Sequence, residues 1–388
     1  MSIRFDKLGV VIALLIAYGA LVAPFATFRA NRIVPGEAKT ILDALPAGAG
    51  ITLLVLMVFA AVIVLLRTPT LLRLATAATA LVALALFIGM AATHLTPPEN
   101  TYARVSPASG FWILLFAFAL LAADSITRLR PQPAIRVLLL LITLGGAAAI
   151  LMSGLWDGLS ILKEYAGRAD VFWLEAGKHV TLALGSLFAS VAVGLPLGIL
   201  CHRVEPLRAA VLNTLNLIQT IPSIALFGIL IAPLGWIAVH VPGAAAIGIR
   251  GIGAAPAFVA LFLYSLLPVV ANTVVGLAGV PREANEAARG IGMTDRQRLF
   301  GIELPLAMPV ILTGIRIVLV QNIGLATIAA LIGGGGFGVF VFQGIGQTAM
   351  DLVLLGAVPT VVLAFTAAIV LDALIEMNAP QRNRGRTA

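Results

Sequence analysis

Long apolar runs, ten by count, dominate this sequence and limit what it can become. A helix of about 20 apolar residues crosses a hydrocarbon core of about 30 Å while making every backbone hydrogen bond within itself. The runs fall near residues 8–28, 50–66, 74–93, 110–123, 137–155, 179–200, 209–231, 256–280, 305–330 and 352–372. None alternates polar and apolar residues, the pattern a membrane barrel requires. With 60% hydrophobic and 11% charged residues, the chain lies far outside soluble composition. The expected fold class is an all-α polytopic membrane protein of about ten transmembrane helices.

A net charge of +8 raises the possibility of nucleic acid, but the basic residues sit in short loops between the runs, not in a patch interleaved with aromatics. No nucleic-acid partner is expected. Counted in alternate loops with the amino terminus inside, sixteen Lys and Arg lie on the inner side and eight on the outer, with Arg316 inside a run. That bias puts both termini in the cytoplasm. Leu8–Phe28 is uncharged and lacks a small-x-small cleavage pattern, so it reads as a retained first span. The single Cys201 excludes an internal disulfide framework, and His94, His179, His202 and His240 are too scattered to form metal or haem pairs. No catalytic residue, metal or cofactor is expected. There is no Gly-x-x-x-x-Gly-Lys-Ser/Thr phosphate loop, so ATP energy would have to come from another subunit. No Asp or Glu lies well inside a run, Asp124 and Asp372 being at ends, which disfavours an ion-coupled carrier.

The most distinctive polar stretch is Glu286-Ala287-Ala288-Arg289-Gly290-Ile291-Gly292, followed after nine residues by Ile302-Glu303-Leu304-Pro305. Small Ala287 and Ala288 let a helix backbone lie close in a groove, and Gly292 permits a sharp change of direction. Pro305 suits the first turn of the next helix, where no backbone bond is lost. The bland alternative is an ordinary polar loop between helices. Further on the inside-outside alternation, Gln219-Thr220-Ile221-Pro222-Ser223 interrupts a run with a proline, which reads either as a pathway-lining kink or as a polar seam between packed helices. Leu263-Tyr264-Ser265-Leu266-Leu267-Pro268 with Asn272 gives a second proline-bearing run. The run Gly333-Gly334-Gly335-Gly336-Phe337-Gly338 has no Lys and no preceding strand, and so fails as a phosphate cradle. It reads as a re-entrant hairpin that packs backbone closely, or else as a flexible loop.

The spacing from Glu286 to Pro305 resembles the EAA loop in membrane subunits of bacterial ABC importers. Together with the Gln219–Ser223 and Leu263–Pro268 segments, Gly314-Ile315-Arg316, the glycine run, Asp351 and Gly356-Ala357, it closely resembles permeases for osmoprotectants such as glycine betaine and choline. The resemblance covers about residues 175–375. It implies a five-helix core of the type I ABC importer permease kind, working with a second permease copy or paralogue, cytoplasmic ABC ATPase subunits and a periplasmic substrate-binding protein, in the inner membrane of a bacterium. The coupling residues it implies are Glu286, Ala287, Ala288, Arg289, Gly292, Arg296 and Pro305. The expected pathway residues are Gln219, Pro222, Tyr264, Asn272, Gln321, Asn322, Gly335 and Phe337. Rival cargoes are an amino acid or a sulfonate, and a rival class is an ion-coupled carrier.

The expected divisions are an extension of about five spans at 1–155, a periplasmic interfacial segment at 156–178, a permease core at 179–375 with the coupling loop at 281–305, and a basic cytoplasmic tail at 376–388. Residues 1–155 match a longer subgroup with an amino-terminal membrane extension. The extension's runs hold no charge, which leaves packing of the complex or contact with membrane lipid as its expected roles. Arg316 stands alone deep in a run, where a fixed positive charge would repel a cationic cargo. Its expected role is therefore structural, bound to helix-end carbonyls or to an acid near an interface.

Overall fold

A computed structural model describes residues 6–32, 34–97, 99–100 and 102–378. Arg4 and the tail arginines Arg382, Arg384 and Arg386 lie outside the described residues. Among the described residues, nine helices are long and apolar enough to cross a membrane, and Lys7–Leu21 is a shorter apolar helix. The chain divides into two compact units, Met1–Gly167 and Arg168–Ala388.

In the first unit, Lys7–Leu21, Ala47–Leu65, Thr70–Leu95 and Ser109–Leu129 close into a ring in which each helix touches two neighbours. Lipid tails are as apolar as leucine, so association must come from close packing, which small residues allow. A Cβ at Gly9 would stand 2.1 Å from the Val64 carbonyl oxygen, and one at Gly110 would stand 2.7 Å from that of Gly19. Pro133–Met152 stays outside the ring, burying only Leu140. Thr70–Leu95 starts before the run at 74–93 and draws Arg73 into its first turn, so this unit's helices are not free of charge. The buried Arg73 guanidinium bonds the Asp6 carboxylate and donates to the Val64 carbonyl at 3.0 Å. Burial pushes the Asp6 carboxyl up, but Arg73's hydrogen bond and charge, with Arg128 beside it, hold it below its ordinary value.

A small antiparallel sheet lies in the connections between these helices. Ala26–Arg29 lies between Glu37–Lys39 and Arg104–Pro107. Strands of three or four residues inside polar connections carry too little alternation to be read from sequence.

In the second unit, Ala169–Arg203 packs along Ala254–Ala278, which packs on Leu304–Leu325, which in turn packs on Met350–Asn378. Gly194 and Gly198 bring the first pair together, where added Cβ atoms would lie 2.8 Å from Val269 and 2.6 Å from Thr273 side chains. Ala169–Arg203 begins ten residues before the run at 179–200, so the second half of the polar stretch 156–178 is helical. The run at 209–231 is not one helix. It is split into Glu205–Thr220, Ser223–Ile229 and Ile231–His240, and the first division falls at Pro222, which cannot donate into a continuing helix.

Arg316 meets Asp372, an acid of Met350–Asn378, in an ion pair. Single loss of Arg316 to Met should cost about 1–2 kcal/mol, less than the ~3–5 of a fully buried pair, because each side chain keeps about a third of its exposure. Removing both charges, Arg316→Met with Asp372→Leu, should return the thermal midpoint in detergent close to the original. A double variant as unstable as the single one would show that the pair is not what holds Arg316.

Candidate functional site

The loop at 281–305 is built by successive local signals. Pro281 precedes the helix Arg282–Gly290, on which Glu286, Ala287 and Arg289 are exposed while Ala288 is buried. Burial of one small side chain anchors the helix and leaves its charged face open. The chain then reverses at Gly292, whose φ of +81° lies in the left-handed region that favours glycine. Thr294 and Gln297 form a reciprocal capping box that starts Asp295–Arg298, on which Arg296 is exposed. A π-helical turn, Leu299–Glu303, leads into Leu304–Leu325 with Pro305 at its first turn.

Glu303, within the motif but given no role by the sequence, is the key to how this loop is held. Its side chain is buried, and its carboxylate is bonded by Arg203 and, at 3.0 Å, by Arg298 Nε. Arg298 also donates to Asp295 at 2.8 Å. One carboxylate thus ties the loop to the end of Ala169–Arg203. Arg208 completes that helix end by donating to the Cys201 carbonyl at 3.1 Å and the His202 carbonyl at 3.3 Å.

The residues expected along a pathway fall into two separate groups. Pro268 has no N–H, which frees the Tyr264 carbonyl four residues earlier, and Gln219 Nε2 donates to it at 2.7 Å. The Tyr264 hydroxyl in turn donates to the Ile221 carbonyl, immediately before Pro222. Gln219 and Tyr264 therefore brace reciprocally the break at Pro222 and the carbonyl freed by Pro268 inside Ala254–Ala278. Asn322 is fully buried, donating to Ser186 at 2.9 Å and accepting from Ser265 at 3.0 Å, so it joins three helices. Asn272 donates to the Pro268 carbonyl at 2.8 Å and lies over Gly314, where a Cβ would approach its own to 2.7 Å. Gln321 is half-buried on the same helix as Asn322.

The second group surrounds the glycine run. Gly333, Gly335 and Gly336 all have positive φ, and successive N–H groups in such a turn make a concavity suited to an anion. The anion is the protein's own: Glu175 accepts from the Gly336 N–H at 2.6 Å and from Lys178 at 2.7 Å. The Phe337 N–H donates to His179 Nδ1 at 3.3 Å. Its ring is buried among His179, at 4.9 Å between centroids, and Phe172, at 5.4 Å. Glu175 was legible only as one charge among several in the stretch 156–178; its glycine partner lies 161 residues on.

Residues 194–384 match the family described as the binding-protein-dependent transport system inner membrane component. Residues 6–162 match the amino-terminal domain of the ABC transporter permease YehY. The osmoprotectant import permease protein OsmW of Salmonella typhimurium is 43% identical over 198 residues, which are 51% of this chain and 85% of that protein. The choline transport system permease protein OpuBB of Bacillus subtilis is 38% identical over 194 residues, 50% of this chain and 82% of that protein. An inward-facing structure of the MetNI methionine ABC transporter aligns with a TM-score of 0.47 at 22% identity, covering 55% of this chain and 96% of that one. With its multi-pass helical core and a motif-bearing loop between two of its membrane helices, this chain belongs to the binding-protein-dependent transport system inner membrane component family.

Proposed function

We propose that the chain is the permease subunit of an ATP-driven importer for osmoprotectants of the glycine betaine or choline class. The observation that carries the reading is the loop at 281–305: an exposed polar helix with one buried alanine, a left-handed glycine turn, and an ionic anchor through Glu303 to the end of the membrane helix Ala169–Arg203. Relatives named for osmoprotectant and choline transport support the cargo class. The subunit performs no covalent chemistry. Partner ATPases dock on Glu286, Ala287, Arg289 and Arg296, and their closure rocks this permease and a second copy or paralogue between two states that bind ATP-loaded partners differently. A periplasmic binding protein delivers cargo. The charge bias of the loops supports an inner-membrane orientation with both termini cytoplasmic.

The test is reconstitution of the full chain with its neighbouring ATPase and binding protein in proteoliposomes. Labelled glycine betaine or choline should enter only with ATP, and collapse of a proton gradient should leave entry unchanged. Uptake of an amino acid or sulfonate instead would move the cargo, and uptake driven by a proton gradient without ATPase would remove the class. In the same assay Glu286→Lys reverses a charge on the docking face. Gly292→Val places a β-branched residue at φ +81°, where even an unbranched side chain costs about 1–2 kcal/mol. Both variants should reach the membrane and lose coupled uptake; normal uptake in both would remove the docking assignment.

A further inference from the structure

The small sheet of the first unit has two faces of opposite character. Ala26 and Val105 are fully buried on one face. Side chains alternate along a strand, so Thr27, Arg29, Arg104 and Ser106 share the other. The register sets Thr27 opposite Ser106 and Arg29 opposite Arg104. Like charges directly opposite one another in an antiparallel pair repel, so this arrangement is unfavourable unless an anion stands between them.

Among the described residues, three polar atoms on that face lack a hydrogen-bond partner although they are withdrawn from solvent: Arg29 Nε, Arg104 Nε and Ser106 Oγ. Among the described residues, no acid bonds these three atoms. Glu164 Oε1 lies 3.9 Å from Arg104 Nη2 and 3.3 Å from Arg32 Nε, so a single carboxylate is divided between two guanidinium groups. Glu37 is engaged with Lys39 at 2.9 Å. Lys163 spends its ammonium on the Ala103 carbonyl at 2.8 Å, and burial, with Arg104 nearby, holds its pKa below the ordinary value. Positive charge therefore remains in excess around the Arg29–Arg104 pair.

The position of this pair in the chain says where an anion would come from. Ala26–Arg29 follows Lys7–Leu21 after a four-residue connection, and Arg104–Pro107 runs through Ala108 into Ser109–Leu129. One helix of the apolar ring thus ends shortly before the strand that carries Arg29 and another begins shortly after Arg104, and the ends of apolar spans are where hydrocarbon gives way to headgroups. Exposed Tyr102 flanks the same connection, as aromatic residues do at that level.

We propose that Arg29 and Arg104, with Ser106, bind a phosphate oxyanion, supplied by the headgroup of an anionic phospholipid. A guanidinium fork matches phosphate oxygens bidentately, two forks facing one another can hold one phosphate, and the serine hydroxyl adds a third donor. A net negative headgroup offsets the repulsion between the arginines. A zwitterionic one brings a cation back into a positive site.

The test uses the full-length chain in mild detergent, stripped of lipid and titrated in native mass spectrometry with dioleoyl phosphatidylglycerol, dioleoyl phosphatidylcholine or inorganic phosphate. Phosphatidylglycerol should be retained in preference to phosphatidylcholine, and Arg29→Gln with Arg104→Gln should weaken that retention by about tenfold or more, the scale of one lost charge-assisted hydrogen bond. Lys39→Gln, whose charge is already matched within the sheet, should leave it unchanged. Arg29→Lys keeps the charge but loses the fork, and should weaken retention even if the double variant does not fold. Unchanged retention in Arg29→Lys and in the double variant, or equal retention of the two lipids, would overturn the site. Binding of inorganic phosphate with no preference between the lipids would overturn the lipid as its source.

Discussion

Replacing Glu303 with glutamine is expected to abolish coupled uptake while leaving the protein in the membrane. The substitution keeps shape and removes charge. It strands Arg298, whose side chain is 5% exposed and whose remaining partner, Asp295, is 88% exposed and largely solvated. Removing one member of a buried ion pair leaves the other charge without its main partner, and the loss is moderated here because Arg203 retains 37% exposure. The loop at 281–305 then loses its tie to Ala169–Arg203. ATP hydrolysis by the assembled complex should then continue without uptake. Glu303→Asp, which keeps the charge but shortens its reach, should recover part of the activity. Uptake in Glu303→Gln indistinguishable from the original would show that the network does not transmit the motion.

Glu303 also shows where sequence reading stops. Its motif marked the loop's place in the chain, and Gly292, read as permitting a sharp change of direction, stands at φ +81°. Nothing in the motif pointed to Arg203, which is 100 residues away. Local spacing predicts neighbours along one helix, whereas this contact depends on the register between two helices, which packing alone sets. The same limit hid Asp372 from Arg316: Asp372 was visible as an acid at the end of a run, and only the packing of two helices makes it a partner. Hydropathy failed differently at 209–231. It measures transfer into lipid, not helix continuity, so an apolar run crossing Pro222 reads as one span although the backbone breaks there. The brace by Gln219 was accessible in principle. Pro268 must free the carbonyl of Tyr264, and a freed carbonyl in a membrane needs a donor.

The glycine run carries the other large expected effect. Gly335 has φ +76°, and a Cβ there would come within 2.6 Å of both Glu175 Oε2 and Lys178 Cδ. The lysine stem can swing aside, but the carboxylate is held by the Gly336 N–H. Gly335→Ala therefore imposes two costs: about 1–2 kcal/mol for a side chain in left-handed backbone, and about 1.5–3 kcal/mol for the charge-assisted hydrogen bond that the displaced carboxylate loses. Together they come to about 2.5–5 kcal/mol, and uptake should fall by about a hundredfold or more. Glu175→Ala should be milder, since it removes the carboxylate without straining the turn. The double variant decides the mechanism. If Gly335→Ala acts by expelling Glu175, the second change adds little once the carboxylate is gone, and the two effects should be clearly less than additive. If they add, the carboxylate and the glycine act independently. The hairpin would then be held by the close packing around Gly338, where a Cβ would stand 1.8 Å from the Thr327 carbonyl oxygen, and not by the carboxylate in its turn.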